Sequence, residues 1–220
     1  MELTQMNTFL FLFEITGTIA FAFSGAISAI HKGMDLFGVL MLGIITATAG
    51  GVMRDIILGS FPPSAFIHPI YVGMAALTSL AVFIVCYCME DAEKTLNTAR
   101  YKRILLICDS IGLGVFTVNG MSTAISRYGV SNGFLVVFSG VMTGVGGGVL
   151  RDMMLGGMPV IFRKQVYALA SIIGAVAAWV LFLHEQVIEA ELIGSMLVFL
   201  IRMMAAHYRW SLPRIERDER

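Results

Sequence analysis

Two stretches place chemistry where it is costly. Ala49-Gly50-Gly51-Val52-Met53-Arg54-Asp55 returns as Gly146-Gly147-Gly148-Val149-Leu150-Arg151-Asp152, and both copies sit inside long apolar runs. Consecutive glycines weaken a helix, and an Arg-Asp pair is expensive to immerse in hydrocarbon. Such sites mark function by default. The consecutive glycines Gly50-Gly51 and Gly146-Gly147-Gly148 are expected to break or kink their helices, freeing N–H groups at one half-helix and carbonyls at the other. Arg54 and Arg151, with those N–H groups, suit a carboxylate. Asp55 and Asp152, with the carbonyls, suit an ammonium group or a metal cation. Because adjacent helical side chains do not face each other, the expected ion pairs are crossed, Arg54 with Asp152 and Arg151 with Asp55. These pairs either lock the two copies together or bind solute, and the sequence leaves both open.

A second pair of carboxylates follows the same duplication. Glu14-x-x-Gly17-x-x-x-Phe21-x-x-x-Gly25 recurs 95 residues later as Asp109-x-x-Gly112-x-x-x-Phe116-x-x-x-Gly120, each set on one helical face. Phe21 and Phe116 are either packing residues or the hydrophobic constriction of a pathway along that face. Asn119 is a polar group that needs a partner in the bundle, and Arg202 is expected to snorkel to the cytoplasmic face. Gly43 and Gly140 read as helix-packing residues.

The elements that carry these residues follow from composition. The chain has 220 residues, 57% hydrophobic and 14% charged, which excludes an ordinary soluble domain. Spanning helices need roughly 20 apolar residues, and seven candidates occur at about 8–30, 36–59, 66–89, 104–126, 133–156, 165–184 and 191–207. The fold class is therefore an all-α polytopic membrane protein. Lys32, Lys94, Arg100, Lys102, Arg103, Arg163, Lys164, Arg209, Arg214, Arg217 and Arg220 all follow odd-numbered helices, whereas the other face has Arg127 and little more. By the positive-inside rule the N-terminus lies outside and the C-terminus in the cytoplasm. The duplicated unit holds three helices, so the second copy enters the membrane inverted. The expected organisation is a first repeat over 1–89, a cytoplasmic loop over 90–103, the inverted repeat over 104–184, and a seventh helix with a tail over 185–220.

Other classes lack support. Cys86, Cys88 and Cys108 form no disulfide framework, and the four histidines lack metal-ligand spacing. No nucleophile with a nearby base, phosphate loop or nucleic-acid motif is present, so neither an enzyme, a cofactor nor a nucleic-acid partner is expected. The mixed-charge tail 214–220 is expected to be disordered or to lie on the surface.

The doubled G-G-x-x-R-D motif, preceded by an acidic-x-x-Gly helix and followed by Leu-Gly and Pro, resembles the bacterial inner-membrane family with a duplicated glycine-transporter domain. That family is related to the trimeric intracellular cation channels. The resemblance covers roughly residues 8–184. It implies seven helices, kinked second and fifth helices, a conduction route within each protomer, homotrimers and an inner-membrane location. The Lys-Glu-Val signature of the animal channels is absent. Two functions are expected from the residues and the resemblance together. The first is transport of a small zwitterion, glycine or a similar amino acid, between the Gly-Gly motifs. The alternative is a potassium-type channel in which Glu14, Asp55, Asp109 and Asp152 attend the ion.

Overall fold

The computed structural model describes residues 2–88, 99–163 and 166–210. Lys94, Lys164, Arg214, Arg217 and Arg220, most of the expected loop 90–103 and the tail 214–220 lie outside the described residues. The sequence forms α1 (Glu2–His31), α2 (Leu36–Ile57), α3 (Ser64–Ile67), α4 (Ile70–Tyr87), α5 (Ala99–Tyr128), α6 (Gly133–Met154), α7 (Val160–Arg163), α8 (Val166–Leu183) and α9 (Val187–His207). Helix α5 thus begins five residues before the expected boundary at 104.

The duplication is visible in the helix ends. Asp35 caps α2 by accepting from the Gly38 N–H at 2.8 Å, and Asn132, 97 residues on, caps α6 by accepting from the Leu135 N–H at 3.1 Å. Past the other ends, Gly59 (φ 64°) and Gly156 (φ 70°) take the left-handed conformation that closes a helix. A proline then splits what the sequence reads as a single third helix. Pro69 precedes α4 and leaves α3 as a separate turn, and Pro159 precedes the equivalent turn α7.

Helices α1, α2 and α4 pack on one another, as do α5, α6 and α8, while α2 against α6 and α1 against α5 join the halves. The remaining long helix, α9, packs chiefly on α5 and α8, both of the second half. Among the described residues, six helices are long and apolar enough to cross a membrane: Thr8–His31 of α1, α2, α4, Lys102–Tyr128 of α5, α6 and α8. This corrects the expectation of seven clear spans. Helix α9 has the length, but Glu189, Glu191 and Arg202 interrupt its apolar run.

Where α2 crosses α6 the side chains vanish. A Cβ on Gly50 would land on the Thr143 carbonyl, and one on Gly147 would land on the Thr46 carbonyl, the repeat-equivalent contact. Both helices remain α-helical through these glycines, so the expected break does not interrupt them. The glycines let two backbones touch instead.

Candidate functional site

The duplicated charges form two clusters on opposite sides of this crossing. In the first, Arg54 sits at the end of α2 and is only 4% exposed. Its Nε donates to Asp55 Oδ1 at 2.9 Å, its Nη1 to Asn119 Oδ1 at 3.2 Å, and its Nη2 to Ser64 Oγ at 3.4 Å. The other oxygen of Asp55 accepts from the Ser64 N–H and Oγ, both at 2.7 Å, which fastens the start of α3 to the end of α2. Glu14 of α1 is hydrogen-bonded to Tyr71 at the start of α4.

The second cluster repeats the plan. Arg151 Nε donates to Asp152 Oδ1 at 2.9 Å, and Nη1 donates to both Asp109 Oδ1 and Ser24 Oγ at 2.6 Å. Ser24 is the repeat equivalent of Asn119, so each arginine reaches into the opposite half at the corresponding position. Tyr167, equivalent to Tyr71, lies beneath a guanidinium that the first half does not have. Arg202 of α9 stands 4.6 Å from its ring centroid and 3.8 Å from Asp109 Oδ2. The expectation that Arg202 snorkels outward is therefore corrected: it is 4% exposed and turned into the bundle. Having Asp109 and an aromatic face within reach offsets the loss of water.

The crossed pairs do not form. Each arginine pairs with the aspartate next to it, because a long guanidinium arm folds across the last helical turn and forks one carboxylate oxygen at 2.8–2.9 Å. Geometry also forbids the crossing. Gly50 and Gly147 meet at one level, and α2 and α6 run in opposite senses away from it. Arg54 and Asp152 are then separated by nine residues of helical rise, about 14 Å.

Between the clusters lie Phe21 and Phe116, with ring centroids 5.3 Å apart, both buried. Phe21 fills the space a side chain on Gly112 would need. A cavity of about 40 Å³ opens on the first cluster, lined by Glu14, Gly51, Arg54, Asp55, Tyr71 and Asn119 together with Phe116 and small polar residues. That is room for a few water molecules. Of the sequence candidates, Glu14, Gly51, Arg54 and Asp55 gather at this cavity, and Asp109, Arg151 and Asp152 gather in the second cluster with Gly148 beside the Tyr167 hydroxyl. Gly50 and Gly147 serve the helix crossing.

Sequence reasoning missed Ser24, Ser64, Tyr71 and Tyr167. The 95- to 97-residue offset could have found two pairs, Ser24 with Asn119 and Tyr71 with Tyr167. Nothing in the sequence flags Ser64. Among the described residues no group of His, Cys, Asp or Glu could hold a metal ion.

Comparison with known proteins agrees with this architecture. A family described as Glycine transporter matches twice, over residues 11–87 and 106–184. A UPF0126 membrane protein of Deinococcus radiodurans is 37% identical over 203 residues, covering 91% of this chain and 89% of the relative. The UPF0126 inner membrane protein YadS of Escherichia coli (strain K12) is 33% identical over 208 residues, covering 94% and 96%. Among solved structures, one reported as a structural basis for conductance through TRIC cation channels superposes with a TM-score of 0.80 at 36% identity, covering 95% of this chain and 98% of that one. The TRIC trimeric intracellular cation channel orthologue from Rhodobacter sphaeroides gives a TM-score of 0.81 at 30% identity, covering 92% and 100%.

Proposed function

Given that the chain belongs to the UPF0126 family of membrane proteins with its duplicated glycine-transporter domain, we propose that it conducts a monovalent cation of the potassium class. The route runs within one protomer, from the Glu14–Asp55 cavity past Phe21 and Phe116 to the Asp109–Asp152 cluster. In this reading the protein is a homotrimer of the inner membrane, surrounded by lipid, with α9 as a seventh crossing. The basic connections put its N-terminus outside and its C-terminus in the cytoplasm. The first three-helix repeat then opens outward and the inverted repeat inward. The kinship with TRIC cation channels favours the ion over an amino acid.

The observation that carries the proposal is the state of the two arginines. A glycine carrier needs a free cationic group or free helix N–H groups for the solute's carboxylate. Every guanidinium nitrogen of Arg54 and of Arg151 already has a partner in the chain, and α2 and α6 do not break to expose N–H groups. The glycine reading then rests on the family's description alone. A cation, by contrast, meets the carboxylate of Glu14 in a cavity of a few waters' volume, with Asp55 adding negative charge from its wall. Phe21 and Phe116 form the hydrophobic constriction where such a path narrows.

Reconstituted protein tests this directly. Liposomes loaded with potassium should take up external radioactive rubidium in exchange, and should not take up radiolabelled glycine above the level of empty liposomes under a proton or a sodium gradient. Phe21→Ala and Phe116→Ala should raise the rubidium rate. Glycine uptake without rubidium uptake would overturn the proposal.

A further inference from the structure

The charged residues of the two clusters correspond one for one, Glu14 with Asp109, Arg54 with Arg151 and Asp55 with Asp152, except for what α9 adds to them. This helix has no counterpart in the repeat, yet it buries two opposite charges, Glu191 at 1% and Arg202 at 4% exposure. They lie eleven residues apart, three helical turns, and so share one face of α9 at opposite ends of the bundle. Arg202 enters the second cluster, between the Tyr167 ring and Asp109. Glu191 lies at the outer end, toward the first cluster but held by the second half: Ser122 of α5 donates to its Oε1 in a short hydrogen bond. Ser122 is one turn beyond Asn119, the partner of Arg54. Glu191 is within electrostatic reach of Glu14, and its Oε2 has no hydrogen-bond partner among the described residues.

We propose that α9 sets the electrostatic polarity of the route, with Arg202 cancelling the charge of the inner cluster and Glu191 deepening the negative charge around the outer cavity. Glu191 is thereby a cation-preference residue of the outer half, and Arg202 is its opposite in the inner half. The formal charges follow from the residues already placed. Among the charges placed in the bundle, the outer cluster holds Glu14, Asp55 and Glu191 against Arg54, with Arg127 lying beyond it on Ser60 and Gly59. Among the described residues of the inner cluster, Asp109 and Asp152 stand against Arg151 and Arg202 and balance. Without α9 the halves would be alike, with two carboxylates against one guanidinium in each. A cation is therefore held more strongly at the outer end, and the route is polar in direction although its backbone is nearly symmetric.

The proposal rests on the cation route above, and its test uses a local readout that needs no transport. In a full chain with Cys86, Cys88 and Cys108 replaced by alanine, single cysteines are placed at Ala65, beside the outer cavity, and at its repeat equivalent Ile161, which packs on the cluster containing Tyr167. Each is reacted with a cationic and an anionic methanethiosulfonate of similar size, and the ratio of the two rates reports the local potential.

The ratio is expected to be higher at position 65 than at position 161. A unit charge about 10 Å away, at an effective dielectric of about 20, should move it roughly threefold or more even after screening. Glu191→Gln should lower the ratio at 65, and Arg202→Gln should raise it at 161, each leaving the other reporter unchanged. If both charges only hold α9 in place, the variants change the melting temperature and leave both ratios alone, which overturns the proposal.

Should Arg202→Gln fail to fold, the nearly isosteric Glu191→Gln decides by itself. Equal ratios at 65 and 161 in the parent protein would overturn the proposal without any variant. Shifted ratios in a protein that carries no rubidium would sustain the polarity and sink the proposed function.

Discussion

Replacing Gly50 by alanine puts one methyl group into the α2–α6 crossing, and the structure fixes the sign of the result. In a free helix the change is favourable by about 1 kcal/mol. Here the new Cβ would overlap the Thr143 carbonyl and stand 3.4 Å from the Gly147 nitrogen. The obstacle is backbone in an opposing helix, so no rotamer change relieves it. Relief requires the two helices to part by roughly 1 Å, and a gap of 0.5–1 Å forfeits about a quarter to a half of the dispersion energy of the contacts concerned. Overpacking of this kind costs about 1–3 kcal/mol and more when backbone must move, so we expect Gly50→Ala to lose about 2–4 kcal/mol net. At about 2–4 °C per kcal/mol for a chain of this size, the melting temperature in detergent should fall by roughly 5–15 °C. Gly147→Ala, against the Thr46 carbonyl, should behave alike. Gly73→Ala on α4, where a Cβ meets nothing within 4 Å, should be neutral or stabilising. A Gly50→Ala protein that melts at or above the parent temperature would refute the close-crossing argument.

Three further outcomes follow from the clusters. A double-mutant cycle on Arg54 and Asp152 should give a coupling below about 0.5 kcal/mol, since they lie at different depths, whereas Arg151 and Asp109 should couple by about 1–3 kcal/mol. Unfolding measured for all singles and doubles checks both, and a strong Arg54–Asp152 coupling would restore the crossed pairing. Asp55→Ala leaves Arg54 buried beside an unpartnered Ser64 N–H and should cost about 3–5 kcal/mol, seen as a large drop in melting temperature. Tyr167→Phe removes a hydroxyl that has no hydrogen-bond partner among the described residues and keeps the ring under Arg202, so it should change stability by less than about 0.5 kcal/mol. Tyr71→Phe loses the bond to Glu14 and should cost about 1 kcal/mol, a contrast that paired thermal melts resolve.

Much of the fold is legible in the sequence because the chain is written twice. The offset of 95 to 97 residues pairs Glu14 with Asp109, Arg54 with Arg151 and Gly59 with Gly156. An odd number of helices per copy forces the inversion. That same inversion already forbids the crossed Arg–Asp pairs, since equivalent motifs at the ends of antiparallel helices fall at opposite depths. The adjacency rule that favoured the crossing holds for short side chains and fails for arginine, whose arm reaches around a turn. The consecutive glycines were legible as unusual, but not as to their use. A helix break and a close crossing demand the same residues, and only the position of Thr143 and Thr46 across the gap separates them.

The apolar spans, their duplication, the intramembrane carboxylates and the arginines are set by the sequence alone, because hydropathy and spacing are local properties. Which side chains meet is decided by packing. Ser24 and Asn119 become arginine partners only when α1 and α5 cross the seam between the halves. Ser64 becomes an anchor for Asp55 only once Pro69 has cut α3 from α4. Helix α9 carries the clearest lesson. Read along the chain, Glu191 and Arg202 are polar residues near the two ends of a weakly apolar helix. They become buried, opposite charges in two matched clusters because α9 lies against α5 and α8, and a charge acts through its distance to other charges, which the order of residues does not contain.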